Sequence, residues 1–246
     1  MTDASSQHPP DRASFFTPEN EQVDSRRELL SPTGKYRLVV SSFSTGEGTW
    51  DYTQGAVYRT GAADPIAVVQ RNFGSFPFLF VEGHPNGHDY LVCGEDYQGQ
   101  TVIELDTGRR RDHLPAEAAE GVGFCWVEMR FEPPAAMLVV EGCIWACPYE
   151  FRFFDFSDPM NGWPEIEASE MVDADRRPPT FNADGTIVCY QSASAGQASG
   201  NEAETPIAAT WTFRREGLKL VLQGAWVSEE EQARREARQE ARKRSP

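Results

Sequence analysis

Basic residues are scarce in this chain, and so are cysteines and long apolar runs. Lys and Arg number 23 against 38 Asp and Glu, which gives a formal net charge of −15. A field of this sign repels phosphate backbones and anionic lipid headgroups, so we expect neither nucleic acid nor a membrane surface as a partner. No apolar run approaches the roughly 18 residues that a membrane-spanning helix requires. A basic protein is compatible with the charge.

The five cysteines are an odd number, and the N-terminal stretch MTDASSQHPPDRASFFTPENEQ contains no apolar core of signal-peptide length. In a chain without an export signal, such cysteines are expected to be reduced thiols rather than a disulfide framework. The sequence therefore predicts a cytoplasmic protein.

Sequence signatures of common catalytic centres are also missing. The chain has no G-x-S-x-G elbow, no phosphate-binding G-x-x-x-x-G-K-[ST] loop and no dinucleotide fingerprint. Serine and histidine occur, but no pattern orients them together. The sequence therefore predicts no catalytic residue and no cofactor, and it favours a non-catalytic protein.

Both ends of the chain differ in composition from the middle. Residues 1–25 are polar, contain proline and follow neither hydrophobic period, so we expect a disordered lead-in. Residues 228–246 start with a capping box, formed by Ser228 and, three residues later, Glu231. Acidic residues lie near the start of this segment and basic residues near its end, which matches the helix dipole. This pattern predicts a charged helix with little to bury, which we interpret as a solvated appendage or, alternatively, an oligomerisation element.

Between these ends the chain repeats itself. A turn rich in Pro, Gly, Asn or Asp recurs about every fifty residues, in each case before an apolar strand. One strand precedes each turn and two further strands follow, so the repeat is four strands long. The four turns begin at Ser31, His84, Glu132 and Asn182.

Self-similarity at this period, built from short strands and turns alone, is typical of β-propeller blades. We therefore predict an all-β, β-propeller-like domain over residues 26–227 with about four four-stranded units, followed by the exposed C-terminal helix. An irregular β-sandwich and an open array completed by a second chain are the alternative architectures.

Two sequence likenesses point the same way. The words SPTGKYRLVV from Ser31 and VIELDTG from Val102 resemble blades of the WD40-like and TolB-like propeller families, over roughly residues 26–226. The stretch HDYLVCGEDYQGQTVIELDTG, with GFCW and GCIWACPYE downstream, is similar to a family of bacterial proteins of unassigned function. The resemblance implies a propeller-like fold and no particular activity.

The connections between the second and third strands of the repeats share a composition. TWDYTQG and GEDYQGQT both contain Asp-Tyr, a glutamine and a glycine, and Pro148 to Glu150 occupy the matching connection of the third repeat. In a propeller such connections emerge on one face, where they would form a polar and aromatic surface for a protein or a small-molecule ligand. The predicted ligand- or partner-binding residues are Trp50, Asp51, Tyr52, Gln54, Glu95, Asp96, Tyr97, Gln98, Trp145, Tyr149 and Glu150.

Two alternatives apply to the same connections. Repeated Asp-Tyr-x-Gly can be turn chemistry, in which the aspartate bonds the backbone and the tyrosine covers the neighbouring strands. A carboxylate-dependent, glycosidase-like hydrolase would instead need two carboxyl groups about 5–10 Å apart, which Asp51, Glu95, Asp96 and Glu150 could supply. In the fourth repeat the connection is Gln191–Pro206, either a flap beside the ligand or a tolerated insertion.

The stretch GCIWACPYE places Cys143 and Cys147 four residues apart around a tryptophan. In an extended strand their Cα atoms would lie about 13 Å apart, beyond the reach of a disulfide. C-x₃-C without a second cysteine pair is a weak zinc pattern. We favour buried structural thiols over zinc or a redox pair, and no metal site is predicted.

Overall fold

The computed structural model describes residues 12–144, 149–168, 177–192 and 207–244, and it consists mostly of β-strands. The chain divides into two compact units, Met1–Trp126 and Val127–Pro246. The strands and the C-terminal α-helix confirm the prediction of a mostly-β fold that is followed by a helix. No helix among the described residues is long and apolar enough to cross a membrane.

The first unit contains two four-stranded sheets whose strands pair in chain order. Every neighbouring pair is antiparallel, as expected for short strands joined by tight turns. The first sheet consists of β1 (Arg27–Leu30), β2 (Tyr36–Phe43), β3 (Tyr52–Arg59) and β4 (Ala67–Arg71). The second consists of β5 (Leu79–Val81), β6 (Tyr90–Cys93), β7 (Gln100–Glu104) and β8 (Arg110–His113).

Apolar residues from both sheets form one core in the first unit. Leu38 and Val57 of the first sheet, and Leu91 and Ile103 of the second, are almost completely buried in it. Phe76, in the segment between the sheets, packs so closely on β3 that a Cβ at Gly55 would overlap its ring. The two sheets are therefore held face to face by direct packing of their inner residues.

A buried carboxylate links the same two sheets. Asp89, just before β6, accepts hydrogen bonds from Tyr36 Oη at 3.0 Å, Lys35 Nζ at 3.1 Å and the Gly83 backbone N–H at 2.7 Å. Burial alone would raise the pKa of Asp89, but these three hydrogen bonds hold it below its ordinary value. Burial and the bond to Asp89 raise the pKa of Tyr36, so the phenol remains a donor.

The second unit contains one eight-stranded sheet. Two antiparallel four-stranded sets join through a short parallel pairing of β12 with β16, in which Glu167 lies opposite Lys219 and Ala168 opposite Leu220. Met137, Phe153, Ile187 and Phe213 form its core. The strands are β9 (Cys125–Glu132), β10 (Met137–Cys143), β11 (Tyr149–Asp155), β12 (Glu165–Ala168), β13 (Thr180–Phe181), β14 (Thr186–Ser192), β15 (Ile207–Glu216) and β16 (Lys219–Val227).

The helix α1 (Glu229–Arg244) begins at the predicted cap, where the Glu231 N–H donates to Ser228 Oγ at 3.3 Å. Its first turns are anchored to the sheet. Glu231 is buried and pairs with Arg235, whose guanidinium donates to Gln191 Oε1 at 2.8 Å and lies 5.8 Å from the Trp211 ring centroid. The start of the helix therefore differs from the solvated appendage that its composition suggests.

The N-terminal segment also differs from expectation over the part that the structure describes. Residues 12–25 contain two 3-10 helices, Arg12–Phe15 and Pro18–Asn20, and Phe15 stacks on Tyr52 with ring centroids 4.5 Å apart. Phe16 packs edge-on against Phe43. Two adjacent aromatic residues thus anchor a segment whose overall polarity predicts disorder, and residues 1–11 lie outside the described part.

The close packing at Gly55 gives a first testable prediction. Gly55→Ala should lower the free energy of unfolding by about 1–3 kcal/mol, because the new methyl group must displace the Phe76 ring. Gly224→Ala in β16 is the matched control, since nothing lies within 4 Å of its Cβ position. Urea denaturation of both variants measures the difference, and equal stabilities would contradict this packing.

The Asp89 network predicts a pH dependence of stability. Since its pKa is lowered on folding, Asp89 stabilises the protein above its unfolded pKa of about 3.9, and this contribution is lost as the pH falls through the folded value. Asp89→Asn should lower the free energy of unfolding by about 1–3 kcal/mol at pH 7. The difference in this free energy between variant and wild type should narrow below about pH 4. Exposed Asp64→Asn is the control in the same denaturation series. A difference in unfolding free energy that does not change with pH would contradict the stabilising role of ionised Asp89.

Candidate functional site

The buried guanidinium of Arg71 organises one end of the first unit. Arg71 is the last residue of β4 and is only 4% exposed. Its Nη1 donates to the backbone oxygens of Gly94 at 3.0 Å and Asp96 at 2.8 Å, and its Nε donates to that of Ser75 at 2.9 Å. Burial lowers its pKa to about 10, so it stays charged at neutral pH. One side chain therefore fixes both the β6–β7 connection and the segment after β4.

Asn72 adds a second link between the same two segments. Its N–H donates to the Glu95 backbone oxygen at 2.9 Å, its amide Nδ2 donates to Asp96 Oδ2 at 2.6 Å, and its Oδ1 accepts from the Tyr97 N–H at 2.9 Å. The Asp96 side chain also accepts from the Gln98 N–H at 2.9 Å. The β6–β7 connection is thus held on both sides by hydrogen bonds.

Three aromatic rings form a row on this support. The Phe73 ring lies 5.2 Å from that of Trp50 and 5.7 Å from that of Tyr97, measured between centroids. Trp50 Nε1 donates to the Asn72 backbone oxygen at 3.0 Å, yet 58% of the residue is exposed. We call this Trp50–Phe73–Tyr97 set the aromatic row. It presents an oriented tryptophan face to solvent.

The predicted carboxylates of the first unit are each engaged in a structural contact. Asp51 accepts from Gln22 Nε2 at 3.0 Å, and Glu95 forms an ion pair with Arg110 at 2.6 Å. Asp96 bonds Asn72 and the Gln98 backbone N–H, which is the turn chemistry that the repeated motif can supply. These contacts orient the connections rather than leaving a carboxylate pair facing a cavity.

The remaining predicted residues of the first unit have supporting positions. Gln98 is buried, donates to the Tyr97 hydroxyl and accepts from the Gly123 N–H at 2.9 Å. Gln54 accepts from Gln70 Nε2 at 3.1 Å within the sheet, and Tyr52 stacks on Phe15. Of the predicted set, Trp50 and Tyr97 are thus joined in one row through Phe73, whereas Tyr52 packs on the N-terminal segment.

Tyr149 and Glu150 belong to the second unit, at the start of β11. Tyr149 is 39% exposed, and Glu150 forms an ion pair with Arg152 at 2.7 Å. Trp145 lies outside the described residues, as do residues 193–206 of the fourth connection.

The cysteines that the structure describes, Cys93, Cys125, Cys143 and Cys189, are not joined by disulfides. Burial raises the pKa of both Cys93 and Cys189 to about 12, so these two are poor nucleophiles and poor metal ligands. Cys143 is buried at the end of β10. Cys147 lies outside the described part, so the interpretation of the pair stays a prediction. Among the described residues, no group of three or more His, Cys, Asp or Glu side chains could hold a metal ion.

Sequence reasoning missed Arg71, Asn72 and Phe73, which position the aromatic row. They lie at the end of β4 and directly after it, rather than in the connections that share the Asp-Tyr motif. The run R-N-F-G after an apolar strand is the only local signal, and it does not reveal that the arginine turns inward.

The Arg71 contacts give a prediction that links stability to the candidate site. Arg71→Ala should lower the free energy of unfolding by about 3 kcal/mol, because three backbone oxygens lose a charged donor. It should also change the emission of Trp50, whose partner Asn72 follows Arg71 directly. Arg26→Ala, at an exposed residue, is the control and should stay within about 0.5 kcal/mol. An Arg71→Ala protein with the same free energy of unfolding and the same tryptophan emission as the wild type would contradict this role of Arg71.

No family model matches the chain. It is 39% identical over 152 residues to an uncharacterized protein of Acanthamoeba polyphaga mimivirus, and the match covers 62% of this chain and 59% of that protein. The chain thus spans less than two thirds of the length of the curated relative it matches. The assignment to a bacterial propeller-like family is wrong, because this relative is viral and no propeller family model matches.

Two solved structures are similar at low TM-scores. The major Malassezia sympodialis allergen Mala s 1 is 13% identical with a TM-score of 0.36, covering 84% of this chain and 65% of that one. An endo-arabinanase of glycoside hydrolase family 43 from Bacillus licheniformis is 8% identical with a TM-score of 0.34, covering 86% of this chain and 80% of that one. Likeness at this level carries no argument about the present chain.

Proposed function

We propose that this protein is a non-catalytic binding module whose first unit captures a basic segment of another protein. The observation that carries the proposal is the aromatic row: an exposed, oriented Trp50 stands beside exposed acidic residues on a support fixed by buried hydrogen bonds. A tryptophan face attracts Lys and Arg side chains, and more strongly than other rings do.

The charge around the row favours a cationic partner. Glu47 and Asp51 are exposed on the loop that carries Trp50, and the whole chain has a net charge of −15. Two basic side chains at this end of the unit already have partners, since Arg71 is buried among backbone oxygens and Arg110 pairs with Glu95 and Asp112. A Lys- or Arg-bearing segment would therefore meet an attractive field and an aromatic platform at the same place.

The engaged carboxylates argue against the alternative hydrolase at this end of the first unit. Asp51, Glu95 and Asp96 each have a partner that competes with proton transfer to a substrate. A catalytic pair needs one carboxyl group that keeps its proton and another that stays ionised and open to the substrate or to water. The contacts support positioning of the loops instead.

We also propose how the strand sets are arranged, as a ring of four blades. Four antiparallel sets of four strands follow one another along the chain, which supports a propeller-like ring of four blades. The joining of the last two sets through β12 and β16 departs from separate blades. We also propose a reducing, cytoplasmic setting, because no disulfide joins the cysteines that the structure describes. A crystal structure of the full chain would test the ring, and four separated blades would support it.

The binding proposal predicts the behaviour of a single tryptophan variant. Fluorescence anisotropy of a labelled peptide of alternating Arg and Gly should report binding to the wild type, and Trp50→Ala should weaken it at least tenfold. Trp226→Ala is the matched control, because Trp226 is 53% exposed in the second unit. Asp51→Asn should weaken binding less, and added salt should weaken it progressively.

Three results would contradict the proposal. The first is an equal loss of peptide affinity in Trp50→Ala and Trp226→Ala. The second is equal affinity for a peptide in which Glu replaces Arg, and the third is no binding of the Arg-Gly peptide at millimolar concentration. Circular dichroism of each variant should match the wild type, since Trp50 adds little to the core.

A further inference from the structure

The second unit contains a cavity of about 240 Å³ that none of the preceding residues uses. It lies over the face that β9, β10 and β11 share at the edge of the unit's core. Apolar walls come mainly from Val139 and Phe151, both buried. The cavity has room for several non-hydrogen atoms of a ligand. Its lining residues are Glu128, Met129, Arg130, Val139, Glu141, Phe151 and Pro178.

Two carboxylates line this cavity without a cation. Glu128 lies on β9 and Glu141 on the neighbouring strand β10. Among the residues that the structure describes, neither one makes a hydrogen bond or an ion pair. Burial, and then the nearby charge of Glu128, raise the pKa of Glu141. Glu128 is exposed and Glu141 is half-buried, so two like charges lie at this cavity with no cation paired to either one among the described residues.

The one basic residue in the lining is already occupied. Arg130 forms an ion pair with Glu132 at 2.6 Å, donates from Nη2 to the Pro179 backbone oxygen at 2.6 Å and lies over the Phe181 ring at 5.7 Å. Its charge is thus offset by Glu132 and directed toward β13 and the segment before it. Glu128 and Glu141 keep the cavity negative.

We propose that this cavity binds a small organic cation with a primary ammonium group, held between Glu128 and Glu141 with its alkyl part against Val139 and Phe151. Three donor hydrogens on one ammonium can serve both carboxylates, and an apolar wall beside them suits a short alkyl chain. A hard metal ion fits less well, because Ca²⁺ takes six to eight oxygen ligands and the described residues offer no group of three metal-ligating side chains.

Binding should depend on pH through Glu141. The charged and titratable groups that line the cavity with it are Glu128 and Arg130. An ammonium ligand needs the ionised carboxylate, so its affinity should rise as the pH rises through the pKa of Glu141. Below that pKa, binding should release a proton, which calorimetry detects as a dependence of the binding enthalpy on the buffer.

Isothermal titration of the full chain with n-butylammonium chloride tests the proposal, with n-butanol as the neutral isostere and calcium chloride as the metal probe. We expect saturable binding of the amine, at least tenfold weaker binding in Glu141→Gln and in Glu128→Gln, and no effect in Glu216→Gln, an exposed glutamate at the β15–β16 turn. Equal binding of butanol, binding of calcium alone, or no saturable binding would each overturn it.

Thermal unfolding separates a ligand site from a structural pair. Removal of a repelling, partly buried charge should raise the melting temperature of Glu141→Gln while abolishing the further rise that the amine causes in the wild type. A lower melting temperature together with an unchanged amine effect would mean that Glu141 is structural. The variants at Trp50 leave this cavity untouched, so the two proposals can fail independently.

Discussion

The buried guanidinium of Arg71 is the interaction on which the candidate site of the first unit depends. Backbone oxygens of two separate segments accept hydrogen bonds from it, so one charged side chain serves three acceptors. Because a guanidinium has five donors in a fixed plane, it also sets the relative orientation of those segments. Asn72 and Phe73 follow Arg71 directly in the chain, so a buried side chain determines where the aromatic row lies.

The two units place charged side chains in different surroundings. In the first, the Arg71 guanidinium and the Asp89 carboxylate are surrounded by hydrogen-bond partners, so charge stabilises the fold. In the second, Glu128 and Glu141 face a cavity without such partners among the described residues. Glu141 is partly buried and has no ion-pair partner among the described residues, which costs stability. This contrast is why we assign a ligand to the cavity and a positioning role to Arg71.

Much of the strand order could be predicted from the sequence, because turn residues at regular spacing mark where each strand begins. The turns at Ser31 and His84 precede β2 and β6 as predicted. The candidate site was less predictable. A local motif identifies Trp50 and Tyr97, but it cannot show that Phe73 from another segment joins them. Likewise Glu141 sits in an ordinary strand pattern, and only tertiary packing places it beside Glu128.

The proposed binding requires that Trp50 receives a cationic side chain while the hydrogen-bond network beneath it stays intact. Nuclear magnetic resonance of the six tryptophan indole N–H signals during titration with the Arg-Gly peptide tests it most directly. We expect a saturable shift of the Trp50 signal, continued protection of that N–H by its bond to Asn72, and no shift for Trp226. A Trp50 signal that stays fixed while the peptide binds elsewhere would contradict it.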